Sequence, residues 1–113
     1  MSLINFQPEQ WGPLSPNLLL VSSILGICQM IAREDISPSS AEEWFFNPRT
    51  HHHFKANGCT EPFISLFEQG MLLDSTSRHF GLKKAIQSAR EMMDECTQVI
   101  QKHMPPPTPD FEP

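Results

Sequence analysis

"RHFGLKKAIQSAREMMDECTQVIQKH", residues 78–103, carries the clearest period in the chain. Leu82, Ile86, Ala89, Met93, Cys96 and Ile100 fall at steps of four, three, four, three and four, which draws one apolar stripe along an α-helix. The period predicts a helix of roughly 20 residues within about 78–103. No stretch elsewhere alternates apolar and polar residues long enough to argue for a strand. The other elements therefore have to be helices that cover this stripe.

Their starts are marked by Ser-Pro and Pro signals. "SPNLLL" offers Ser15 as N-cap and Pro16 at the first helical position, opening a helix to about Arg33. Leu18, Leu19, Leu20, Val21, Ile24, Leu25, Ile27, Cys28 and Ile31 cover most of its circumference. A helix apolar nearly all round is central or sits in a subunit interface, so a homodimer is expected. Gly26 in its middle costs about 1 kcal/mol against alanine, which close approach of another backbone would offset. "ISPSSAEEWFFNP" repeats the start signal at Ser37 and Pro38, and Pro48 ends that helix early by disfavouring helical geometry at Asn47. Trp44 and one of Phe45 and Phe46 are expected to face the core. A third short helix is expected from Pro48 to about Ala56, with Gly58 just past its end. "TEPFISLFEQG" then reads as a helix capped by Thr60 and ended by Gly70, with Phe63, Ile64, Leu66 and Phe67 on its apolar face. The expected fold is an all-α compact bundle of about five helices, long first and last, short between.

Around this helical domain of residues 15–103, residues 1–14 read as an irregular arm that Phe6 and Trp11 could pin to the body. Residues 104–113, with five prolines in ten positions, read as a disordered proline-rich tail. The chain has 113 residues, 39% of them apolar, enough for one modest core. The formal net charge of −5 disfavours nucleic acid, where affinity rests on Lys and Arg neutralising phosphates. Its distribution is uneven: residues 78–103 hold five basic and three acidic side chains, so the acidic excess lies elsewhere. The three cysteines, Cys28, Cys59 and Cys96, are odd in number and widely spaced. They imply no disulfide framework and point to a reducing cytoplasm. The N-terminus has no basic n-region followed by an apolar h-region, and the apolar run Leu18–Ala32 is too short to span a bilayer. No membrane partner is expected.

The middle of the chain resembles a known family. "LLLVSSILGICQMI", "ISPSSAEEWFFNPRT", the turn at Gly58 and "FISLFEQGMLL" are similar to a family of small bacterial helical domains of unknown function, over roughly residues 18–100. The shared features are an apolar helix with an internal glycine, an Ala-Glu helix ending in Phe-x-Pro-x-Thr, and a further helix ending in glycine. The resemblance implies a bacterial cytosolic helical fold and brings no activity with it.

Within "NPRTHHHFKANGC", residues 47–59, three histidines precede a cysteine. Successive helical residues point 100° apart, so His51, His52 and His53 cannot converge on one ion. A closed zinc site wants four ligands in tetrahedral array, usually closely paired, and no Cys-x-x-Cys or His-x-x-x-His occurs. A set of His51, His53 and Cys59 would need a ligand from elsewhere, such as His79, His103 or Cys96. Cys59 could be a nucleophile beside an imidazole, its thiolate favoured by the start of the following helix. The plainer alternative is a loop cysteine and a short surface helix. Glu91, Asp94 and Glu95 share an exposed face, and a di-iron site would need Glu-x-x-His motifs that the chain lacks. There is no phosphate-binding glycine loop, no Gly-x-Ser-x-Gly and no basic stripe interleaved with aromatics.

The resulting expectation is a non-enzymatic bacterial protein-interaction domain, of the immunity, inhibitor or accessory-subunit kind, without a cofactor. Its partner would be a protein, a basic one given the acidic surface. Trp11, Trp44, His51, His52 and His53 are the candidate contacts. The alternative is a metal-binding sensor or a small Cys/His-dependent enzyme centred on His51–Cys59.

Overall fold

The computed structural model describes residues 15–103; the expected arm 1–14 and tail 104–113 lie outside the described residues. Those residues form six helices: α1 (Ser15–Ala32), α2 (Pro38–Trp44), α3 (Pro48–Ala56), α4 (Phe63–Gly70), α5 (Leu73–Phe80) and α6 (Leu82–His103). The fold is the all-α bundle that the periodicity implies, with one short helix, α5, beyond the expected set.

The starts of α2 and α3 follow the chemistry of their sequences. Ser37 is extended (φ −84°, ψ 157°) and its side chain accepts from the Ser40 N–H at 3.0 Å, with Pro38 next in the first turn. Asn47, forced out of helical geometry before Pro48, caps α3 by accepting from the Thr50 N–H at 2.9 Å. Its amide also donates back to the Glu42 and Glu43 carbonyls, closing the end of α2. Gly58 takes φ +97° just after α3, where a side chain would be strained. Thr60 does not open α4 as its position suggested. Thr60 is engaged with α1 instead: its backbone N–H donates to Asn17 Oδ1 at 3.0 Å, and Asn17 Nδ2 donates to its hydroxyl at 3.2 Å. The helix begins at Phe63 instead.

Two further expectations are corrected. The last helix does not reach back to Arg78. Gly81 sits at φ 98°, ψ 157°, a region open essentially to glycine alone, and it separates α5 from α6. Trp44 does not face the core. It is 61% exposed, whereas Phe46 is 1% exposed and Phe45 is half-buried.

The core lies between α1, α4 and α6. From α1 come Leu20, Val21, Ile24, Cys28 and Ile31; from α4, Phe63, Ile64, Leu66 and Phe67; from α6, Ala89, Met92 and Cys96. Each such buried Leu, Ile or Phe contributes about 1.5–3 kcal/mol. α1 and α6 share the most extensive contact and run antiparallel: Asn17, near the start of α1, bonds Thr60, and His103, at the end of α6, packs on Phe63. The inner line of α6 is Ala85, Ala89, Met92 and Cys96, three of them small. The larger Ile86, Met93, Val99 and Ile100 flank that line, partly buried. A second knot of packing is aromatic. Phe45 meets Phe46, Phe67 and Phe54 edge-on at centroid distances of 5.1, 5.3 and 6.1 Å. Gly70, in the last turn of α4, lies under the Phe46 ring so closely that a Cβ there would collide with it.

Candidate functional site

The histidine segment forms α3, and its three imidazoles diverge as helical geometry requires. His51 stacks on Phe67 (centroids 5.8 Å apart, planes 22° apart), and its Nε2 lies 2.9 Å from Glu68 Oε2. His51 thus ties α3 to α4. His52 is exposed. His53 is also exposed, its ring against Phe54 at 5.6 Å, and its carbonyl accepts from Asn57 Nδ2 at 2.7 Å. Cys59 is buried, and its thiol donates to the Pro16 carbonyl at 3.3 Å. Burial pushes that thiol above its ordinary range. The argument that a helix start would favour a Cys59 thiolate therefore meets the opposite environment, and α4 begins four residues further on. Among the described residues no group of three or more His, Cys, Asp or Glu side chains is gathered so as to hold a metal ion, so His51, His53 and Cys59 are not brought together. Trp44 is exposed at the end of α2, and Trp11 lies outside the described residues.

The other two cysteines face each other's helices in the core. Cys28 of α1 is pushed up to about 12 by burial and then by Cys96. Cys96 of α6 is pushed up to about 11 by burial and then by Glu95. Both are 0% exposed and free. They behave as small apolar side chains, as their place in the apolar stripes suggests.

A concave feature lies on the other side of α6. Gln69 from the end of α4, Leu72, Leu73 and Thr76 from the start of α5, and Ser88, Glu91, Met92 and Glu95 from α6 enclose about 200 Å³. The α6 residues are spaced three, one and three apart, so one helix face presents all four. On α5, Leu73 and Thr76 share a face, and Leu72 stands at its entry. The floor is apolar: Leu73 and Met92 are each 2% exposed, and Leu72, 62% exposed, forms an open apolar wall. The rim is acidic. Glu91 accepts from Gln87 Nε2 at 3.2 Å and Glu95 from Gln69 Nε2 at 3.5 Å, and no cation is paired with either among the described residues. Two carboxylates four residues apart on one helix face repel by a few tenths of a kcal/mol. The groove thus offers an apolar floor with two negative charges at its edge. Its hydroxyls, Thr76 and Ser88, have no imidazole or thiol beside them among the lining residues.

The sequence reading took Glu91, Asp94 and Glu95 as a solvated face and did not include Leu72, Leu73 or Thr76. The groove depends on α5, whose "LDSTSRHF" has too few apolar residues to show a period. The usable signal was Gly81, which allows a turn back along α6.

Among the described residues no helix is long and apolar enough to cross a membrane. Comparison with curated proteins and with solved structures gives no match. A family model described as "Protein of unknown function (DUF3969)" matches residues 15–111, which takes in all six helices. The chain belongs to this DUF3969 family of small domains.

Proposed function

We propose that the protein acts by binding another protein, performing no chemistry itself, and that a basic segment of that partner seats in the groove between α5 and α6. The observation that carries this reading is the pairing of Glu91 and Glu95 over an apolar floor of Leu73 and Met92 with Leu72 as its wall. A lysine or arginine side chain has the complementary form, an apolar stem and a charged head. Its stem would lie over Met92 while its head met the carboxylates, relieving their mutual repulsion. The net charge of −5 supports the same sign of partner, since an acidic surface steers a basic one toward encounter. Exposed Trp44 and the exposed His52 and His53 are available as outlying contacts.

The proposal extends to setting and assembly. Three buried free thiols suit a reducing bacterial cytoplasm. The outer face of α1, where exposed Leu19 and Met30 flank Ser22 and Gly26, suits contact with a second copy. The test of the binding reading is fluorescence anisotropy with a short labelled Arg/Lys-rich peptide at several salt concentrations. Saturable binding that weakens with salt and drops about tenfold or more in Glu91→Gln with Glu95→Gln is expected. Equal binding by that variant would contradict the groove.

A further inference from the structure

The corner that joins α5 to α6 is built unlike the rest of the surface. Residues 78–84, Arg-His-Phe-Gly-Leu-Lys-Lys, hold three cations and no acid in a chain of net charge −5. Phe80 is 75% exposed, more than any other large apolar side chain described, and Leu82 is 44% exposed. Gly81 turns the chain between them at φ 98°, so the two exposed side chains flank the turn. Lys83 and Lys84 lie in the first turn of α6, where the helix dipole disfavours positive charge. Neither makes an ion pair among the described residues, whereas Asp74 is held by Arg78 at 3.3 Å and Asp35 by Arg33 at 3.4 Å. Two unpaired lysines at the wrong end of a helix, beside two bare apolar tips, make local choices that folding alone does not reward.

We propose that this corner docks on an anionic lipid bilayer surface, with Phe80 and Leu82 entering the headgroup–acyl boundary and Lys83 and Lys84 facing lipid phosphates. Charge and exposure favour this occupant over an acidic peptide. Phe80 and Leu82 are not among the residues that line the groove between α5 and α6, and two exposed apolar side chains beside two unpaired lysines are the combination that a bilayer interface accepts. The absence of a helix long and apolar enough to span a bilayer among the described residues does not bear on peripheral contact. The contact would be reversible, because two apolar side chains and a few cations fall short of a lasting anchor.

The experiment is co-sedimentation of the full chain with phosphatidylcholine vesicles containing about one third phosphatidylserine, against pure phosphatidylcholine, at low ionic strength. The protein should partition to the anionic vesicles and not to the neutral ones. Each lysine near an anionic surface is worth about fivefold in binding. Lys83→Gln with Lys84→Gln should therefore lower partitioning about thirtyfold, and Phe80→Ser with Leu82→Ser by at least about tenfold. All four side chains are exposed, so melting temperatures should match the parent and separate lost docking from lost fold. Glu91→Gln with Glu95→Gln should not weaken vesicle binding, which keeps this result independent of the groove. The proposal is overturned if the parent protein binds anionic vesicles no better than neutral ones. It is equally overturned if the serine variant binds undiminished while soluble polyglutamate displaces the protein, which would assign the cations to an acidic protein.

Discussion

Replacing Gly70 by alanine sets a methyl group against the ring of Phe46. The added Cβ would meet three atoms of that ring at less than contact distance. The ring has little freedom to retreat, being 1% exposed and held by Phe45 at 5.1 Å and Phe67 at 5.4 Å. Two effects compete. Gly→Ala inside a helix is worth about 1 kcal/mol of stabilisation from propensity. Overpacking a closed core costs about 1–3 kcal/mol, occasionally more. Because the neighbour is a ring fenced by other rings rather than the end of a flexible chain, the cost lies at the upper end. The net loss should be about 2 kcal/mol, a fall in Tm of about 8–16 °C for a domain of this size. Circular dichroism melts and urea titrations measure it. Phe46→Leu removes the ring edge that collides, so in that background Gly70→Ala should cost nothing or stabilise, with a coupling of about 2–3 kcal/mol in the double-mutant cycle. A Gly70→Ala protein that melts at or above the parent would refute the reasoning, because propensity would then be acting alone.

Gly81→Ala should cost about 1–3 kcal/mol, since φ 98° with ψ 157° is a conformation that alanine adopts only under strain; an unchanged urea midpoint would contradict that turn. Alkali should unfold the protein through Cys28 and Cys96. Their folded values are raised to about 12 and about 11, so their stabilising effect is complete below the unfolded value near 8.5 and declines as pH rises toward the folded values, by about 1.4 kcal/mol per thiol per pH unit; a Cys28→Ala, Cys96→Ala variant should lose most of that slope in urea titrations across the range. His51→Ala should destabilise by about 1 kcal/mol through loss of the Phe67 stack and the Glu68 contact, while His52→Ala and His53→Ala stay within about 0.5 kcal/mol in the same melts, and untagged protein should carry no stoichiometric zinc. A Cβ at Gly26 meets nothing within 4 Å in one chain, so Gly26→Ala should raise monomer stability by up to about 1 kcal/mol; if a second copy packs its backbone there, sedimentation will show the same change weakening the dimer.

How much of this was legible in the sequence depends on whether local chemistry or tertiary packing decided each point. Ser37-Pro38, Asn47-Pro48 and Gly58 mark the boundaries of α2 and α3 because caps and proline act within one turn of chain. The stripe of α6 was read as Leu82, Ile86, Ala89, Met93, Cys96 and Ile100, yet the buried line is Ala85, Ala89, Met92 and Cys96. The rotation arises because α6 is covered from two sides, by α1 and α4 and by α5, so the line between those contacts is innermost and Ile86, Met93, Val99 and Ile100 flank it. Trp44 was assigned to the core from its aromatic character, but the position beneath α2 is taken by Ala41 and Phe46, and Gly70 makes room for the latter. The groove was not legible for a related reason. Glu91 and Glu95 look like any solvated pair until α5 is laid beside them, and α5 holds its place through Leu73 and the turn at Gly81 rather than through a periodic apolar face. The histidine segment shows the converse: three conspicuous residues whose helical directions, read correctly, disperse them.

The most direct test of the central claim is amide chemical-shift mapping of the isotope-labelled full chain during titration with an arginine-containing peptide. The account predicts saturable shifts centred on Gln69, Leu72, Thr76, Ser88, Glu91 and Glu95, absent when Glu91 and Glu95 are both glutamine. Shifts spread evenly over the acidic surface, or centred on α3 around His51–His53, would contradict it.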